Sequence, residues 1–297
     1  MSNMCGLSRS LPGTNRAPPM KSPNGACRSL KSTLLFWNRL LDLLKSETPV
    51  KKLLISICMF AGLLFGDDLQ ARIIATFDDL YKSSSSQGSM TMYIKTPHWE
   101  RTMTMQTWSK GNEQFLIKIL TPAKERGVGT LKVNTKMWNY LPKTDKVILV
   151  PPSMMMGGWM GSDITNDDLV GEYTLADDYD VKLLPEDPKT PGVRQLNCVP
   201  KPGRSIIWGK IVIGVDSKTL IPVSQKNYDE KGKLIRTTLF KEVKVLGGKR
   251  IPTVMEIVPE LKPGQMTRVI YTDMLFDKPV DESIFTQTKL REPVREK

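Results

Sequence analysis

Between Met90 and Phe276 apolar and polar residues alternate in short runs, and the runs are separated by turn-forming residues. Met90, Met92 and Ile94 fall on one face of the first run, and Thr91 and Tyr93 on the other. Arg101–Ser109 repeats the pattern with Met103 and Met105, and Gln114–Leu120 continues it with Phe115, Ile117 and Ile119. A period of two places alternate side chains on opposite faces of a pleated strand, so each run predicts a strand with one buried face. Further candidates are Gly129–Asn134, Lys136–Leu141, Lys146–Val150, Ile206–Val215, Pro222–Tyr228, Leu234–Val243, Ile251–Val258 and Thr267–Phe276. Pro185 to Pro202 reads as a proline-bearing loop, and Asp281–Lys297 as a polar tail that frays. One helical period precedes the strands: Leu69, Ile73, Phe77 and Leu80 form an apolar stripe along Asp67–Lys82. The expected fold is mainly β with few helices (α+β), an antiparallel meander of about ten or eleven strands. Such a meander twists and curls into an incomplete antiparallel β-barrel, a half-barrel whose concave face needs a cover.

Residues 151–171, PPSMMMGGWMGSDITNDDLVG, interrupt the alternation. Met154, Met155, Met156, Trp159 and Met160 crowd a segment relieved only by Gly157 and Gly158. Thr165 followed by Asp168 has the spacing of a capping box and predicts a short helix directly after the apolar stretch. Two readings fit: an apolar lid that covers and uncovers the concave face, or a loop that plugs the core. Read as a helix, Met156, Trp159 and Met160 stand at i, i+3 and i+4 and share one face.

The start of the chain has a different character. Residues 1–49 are rich in Ser, Pro, Gly and Asn and read as an extension outside the fold. Lys51 and Lys52 precede the apolar run Leu53–Phe65, which ends at Gly66. This is the pattern of a secretory signal peptide over residues 50–66, leaving 67–297 as the mature domain. Its internal position suggests that translation begins at Val50, read from a GTG codon. The net charge of +12 is concentrated at this end. Residues 1–66 hold nine Lys/Arg against two Asp/Glu, which leaves 34 against 29 for the remainder. No dense basic run interleaved with aromatics is present, so nucleic acid is not an expected partner.

Candidate chemistry is sparse. Cys198 is the only cysteine after residue 66 and His98 the only histidine. No disulfide framework, cysteine-rich zinc site or Cys–His pair can be built from them. Asp163, Asp167, Asp168 and Glu172 lack the spacing of a calcium loop and read as helix-capping and solvated residues. Ser153 and Ser162 have only His98, at an apparent turn, to act as a base. The expectation is therefore a protein without catalytic residues, metal or cofactor.

The strand pair SMTMYIKTP–RTMTMQTWSKG followed by PPSMMMGGWMGSDITNDDLV resembles the outer membrane lipoprotein-sorting protein family of the LolA-like superfamily, over Asp67 to Phe285. That resemblance implies a half-barrel with a helical lid, a periplasmic location and a hydrophobic cavity for lipid or lipoprotein acyl chains. The partners it implies are a cargo of this kind and an inner- or outer-membrane acceptor or transporter. Residues expected to touch the cargo are Met103, Met105 and Phe115 on the sheet, with Met155, Met156, Trp159 and Met160 on the lid. The Met-rich lid departs from the carrier pattern, so the cargo can differ. A second reading is a periplasmic protein-binding sensor or accessory subunit of an envelope transporter.

Overall fold

The computed structural model describes residues 68–80, 82–171 and 173–294. The expected leader and the extension before it lie outside these residues. Helix α1 covers residues 68–79. Six strands follow it: β1 (Ser85–Lys95), β2 (Glu100–Lys110), β3 (Gln114–Thr121), β4 (Gly129–Val133), β5 (Lys136–Leu141) and β6 (Lys146–Leu149). The lid segment comes next and carries α2 (Asn166–Val170) and α3 (Leu175–Asp178). Seven more strands complete the sheet: β7 (Tyr179–Leu183), β8 (Val193–Pro200), β9 (Lys210–Asp216), β10 (Pro222–Tyr228), β11 (Leu234–Leu246), β12 (Lys249–Pro259) and β13 (Met266–Phe276). A terminal helix, α4, covers Gln287–Arg291.

All thirteen strands belong to one antiparallel sheet ordered β6-β5-β4-β3-β2-β1-β13-β12-β11-β10-β9-β8-β7. The first and last strands pair at its centre, with Met92 opposite Val269. The chain therefore runs outward from the middle to one edge, crosses to the opposite edge, and returns strand by strand to its start. The crossing is made by residues 150–178, which join β6 to β7. In a curled sheet this connection has to pass over a face, so the topology itself makes the Met-rich segment a cover.

The sheet is longer than the alternation indicates because β8 lies within the stretch that reads as proline loop and the short β7 lies just before it. Pro185, Pro188 and Pro191 fall in the connection between those two strands. Pro200 ends β8 beyond Cys198, the last residue of β8 that pairs with β9. None of these prolines removes a donor the sheet requires. Leu196 and Cys198 of β8 pack with Ile213 and Val215 beneath Ile73 of α1, forming one core under this half of the sheet. Cys198 is a buried strand residue, and burial, then the charge of Asp78, pushes its thiol up to about 12. Asp78 of α1 accepts from the backbone N–H groups of Leu175 and Ala176 at 2.8 and 3.1 Å, fixing the end of the lid to the helix.

The other half has a separate core, in which Met92, Ile94, Met103, Met105, Ile117, Ile119 and Val269 are buried together with Trp159 of the lid. A further cluster lies on the opposite face. There Leu116, Leu131 and Tyr140 pack against Phe285 and Leu290. Residues 281–294 thus do not fray: Phe285 and Leu290, with Ile284 beside them, dock on the back of the sheet. Lys118 secures it by donating to the carbonyl oxygens of Leu290 (2.7 Å) and Glu292 (2.5 Å).

Candidate functional site

The lid is a compact hairpin, not the helix that the Met156, Trp159 and Met160 spacing suggests. Trp159 N–H donates to the Ile164 carbonyl at 2.7 Å, and Asn166 N–H to the Gly157 carbonyl at 3.0 Å. Its tip turns at Met160 and Gly161, with φ of 51° and 74°. Ser162 N–H closes that turn on the Trp159 carbonyl at 2.9 Å. Two successive residues with positive φ are the signature of a type I′ turn and are incompatible with a right-handed helix. A side chain at Gly158 would lie 2.4 Å from the Ser162 carbonyl oxygen, so the hairpin requires glycine there. Downstream, the capping box forms as its spacing predicts. Thr165 N–H donates to Asp168 Oδ2 at 2.7 Å, and Asp168 N–H to Thr165 Oγ1 at 3.0 Å.

Polar contacts hold the lid to the sheet at several points. Trp159 Nε1 donates to Thr130 Oγ1 of β4 at 3.0 Å. Asp163 accepts from Thr267 Oγ1 at 2.8 Å and from Gln265 Nε2 at 2.6 Å. Arg101 donates to the Met160 carbonyl and pairs with Glu125 at 3.1 Å. The strongest contact is a fork between Arg236 of β11 and Asp168, with Nη1–Oδ2 at 2.6 Å and Nη2–Oδ1 at 2.8 Å. Arg236 also donates to the Asp163 carbonyl at 3.1 Å and stacks on Trp208, 5.0 Å from the ring centre. Trp208 lies outside β9, which starts at Lys210 and not at Ile206. Gly209 beside it approaches the Asp229 carbonyl so closely that a Cβ would lie 2.4 Å away. Burial works to raise the Asp168 carboxyl, but the hydrogen bonds and charge of Arg236, with the bonds from Thr165, hold it below the usual carboxylate range.

Between lid and sheet lies a cavity of about 440 Å³, within the ~300–1,000 Å³ typical of small-molecule sites. Its floor is formed mainly by β1, β3, β11, β12 and β13, including Met90, Met92, Phe240, Met255, Tyr271 and Met274. Trp159, Ile164 and Leu169 form the roof, and Asp168, Arg236, Gln225 and Thr238 form a polar end. Burial pushes the Tyr271 phenol up to about 12.

Of the residues expected at the site, Phe115 and Trp159 line this cavity. Met103 and Met105 are fully buried in the core beneath Trp159, and Met160 packs against the same core. Met155 is half-buried, and its carbonyl accepts from Asp167 N–H at 2.9 Å. Met156 is 56 % exposed and Met154 58 %, so both face solvent. The type I′ turn rotates Met156 and Met160 away from the shared face that a helix would create. Ile164 and Leu169, the apolar positions flanking the capping box, take their place. The wall contributed by β11–β13 was visible only as alternation, with no sign of which face is concave. His98 sits exposed in the β1–β2 turn, where its N–H donates to Thr96 Oγ1 at 3.2 Å.

A model of a family of uncharacterized proteins matches residues 111–292. Comparison with curated proteins gives no match. Among solved structures, the chain is similar to a DUF1329 family protein from Desulfovibrio piger, with TM-score 0.66 and 24% identity, over 76% of this chain and 97% of that one. It is also similar to a domain described as an outer membrane lipoprotein-sorting protein from Vibrio parahaemolyticus, with TM-score 0.63 and 23% identity, over 74% and 97% of the two chains. A LolA superfamily protein from Nitrosomonas europaea superposes with TM-score 0.61 and 23% identity, over 74% and 98%. The chain thus belongs to that family of uncharacterized proteins, and its fold, an open antiparallel half-barrel, is similar to those of the LolA superfamily and outer membrane lipoprotein-sorting domain structures.

Proposed function

We propose that the protein is a non-catalytic carrier that holds a lipidic or acylated cargo in the cavity beneath the lid and passes it to an acceptor. The observation that carries this reading is the cavity itself, apolar on its floor and roof and polar at one end. Met90, Met92, Met255 and Met274 give the floor unbranched, polarizable side chains that repack around chains of unequal length. Removing an acyl chain from water gains roughly 0.8 kcal/mol per methylene. Burying about half of a sixteen-carbon chain therefore supplies roughly 6 kcal/mol before ordering costs. No cofactor enters this scheme. Release requires a membrane or protein acceptor with higher affinity for the cargo or for the open lid. The reading includes export by residues 50–66 and action in the periplasm, where lipoprotein-like cargo must cross an aqueous space.

The test is native mass spectrometry, with lipid extraction, on the protein isolated from a bacterial envelope. A bound lipid or acylated peptide at one copy per chain is the expected result. A clean unliganded mass with no uptake of offered acyl chains would overturn the carrier reading in favour of a protein-binding sensor.

A further inference from the structure

Beside the polar end of the cavity is a second, smaller chamber of about 200 Å³, bordered by α1, the lid and strands β9 and β10. Asp168 and Gln225 line both spaces. Asn227 lines the smaller one and is only 1 % exposed, yet its Nδ2 has no hydrogen-bond partner among the described residues. Its Oδ1 is already occupied by Gln225 Nε2 at 3.2 Å, which orients the amide and makes Nδ2 the free end. Arg236, at the same end of the larger cavity, has a buried Nε that also lacks a partner among the described residues. Leaving a buried donor without an acceptor is unfavourable, so this end of the site is built to receive an acceptor.

Charge narrows the chemistry. Arg236 is already neutralised by its fork to Asp168. Asp167 also borders the small chamber, and burial, then the charge of Asp168, raises its carboxyl above the usual range. A negative group placed here would face two carboxyls with no uncommitted cation among the described lining residues, whereas a neutral carbonyl oxygen would meet donors without that repulsion. We propose that this junction is a subsite for the carbonyl of an ester- or amide-linked acyl chain, with Asn227 Nδ2 as its donor. The chain would run along the Met-rich floor and the group beyond the linkage would occupy the small chamber. Free fatty acids, whose carboxylate falls in the same place, are disfavoured.

This inference rests on the carrier reading, and one competition experiment separates the two. A fluorescent acyl probe bound to the full-length protein is displaced by 1-monopalmitoylglycerol, by 1-O-hexadecylglycerol (the ether lacking only the carbonyl), by palmitate, and by an N-palmitoyl tetrapeptide amide. The ester should bind about tenfold more tightly than the ether, the expected worth of one satisfied buried donor. Asn227→Leu should abolish that ratio. Asn227→Asp, which keeps the shape of the side chain but replaces the donor with an acceptor, should abolish it too and serves as the second variant if the leucine protein fails to fold. Tighter binding of the acyl peptide than of the glycerol ester identifies acylated protein as the source of the carbonyl; the reverse order identifies free lipid. Equal affinities for ester and ether, or palmitate as the best competitor at neutral pH, would overturn the carbonyl subsite and leave the carrier standing. Failure of the acyl probe itself to bind would instead remove the carrier reading.

Discussion

The fork between Arg236 and Asp168 ties the lid to a strand from the opposite half of the sheet, so its loss should loosen the lid without unfolding the barrel. The perturbation is a double-mutant cycle of Asp168→Asn, Arg236→Met and the combined variant. Two short hydrogen bonds of 2.6 and 2.8 Å join side chains that are 10 % exposed for Arg236 and 21 % for Asp168. Breaking a fully buried pair costs about 3–5 kcal/mol, and partial exposure of Asp168 reduces this to roughly 2–3 kcal/mol for either single change. The coupling energy should be about 2 kcal/mol, and the double variant should be less perturbed than the sum of the two. Two groups report lid opening directly because they donate from lid to sheet: the Trp159 indole N–H, to Thr130, and the Asp163 amide, to Thr267. Their hydrogen exchange, followed by NMR, should accelerate about 30-fold in each single variant, the equivalent of 2 kcal/mol. Amides in the β1–β2 ladder should keep their protection. Equal acceleration in lid and ladder would show that the pair supports the whole fold, and a coupling below about 0.5 kcal/mol would show that it does not hold the lid.

The same pair sets a pH dependence. The folded carboxyl of Asp168 lies below its unfolded value, so its contribution is fully present above ~4, the ordinary carboxylate value, and disappears as pH falls through the folded value. Protection of the Trp159 indole N–H should stay constant from about pH 8 to 5, after correction for intrinsic exchange, and be lost only in stronger acid; loss near pH 6 would point to another group. Trp159→Ala should destabilise the protein by about 3–5 kcal/mol in denaturant unfolding, because Trp159 is 2 % exposed and packs on the core of the first three strands. Met156→Asp should shift stability by no more than about 0.5 kcal/mol and leave acyl binding intact, since that side chain faces solvent. A large loss in either assay would return Met156 to the site.

Most of the sheet was legible because period-two runs bounded by Gly, Pro and Asn admit few other conformations. Tyr179–Leu183 escaped because it is short and continues an acidic, polar stretch, and Val193–Pro200 because prolines flank it. The lid was visible as composition but not as shape. Met160 adopts a left-handed conformation that methionine does not favour, held by the hairpin bonds around it and by Arg101 at its carbonyl. Tertiary contacts imposed that turn, and the local pattern pointed to a helix. Arg236 carried no signal either: in Leu234–Phe240 it occupies an ordinary polar position, and its partner lies 68 residues away. The C-terminal segment was misleading for the opposite reason. Its polar composition hides Phe285 and Leu290, which are buried against the back of the sheet.

In the carrier reading, an acyl chain lies between the lid and the Met-rich floor. Photo-cross-linking with a palmitoyl ester bearing a diazirine near its terminal methyl, followed by peptide mapping, tests it most directly. Adducts are expected on Phe115, Met255, Tyr271 and Met274, which line the cavity, and should be lost when unlabelled ester is added in excess. Adducts confined to the exposed residues Met154 and Met156, or to the outer face at Phe285 and Leu290, would contradict it.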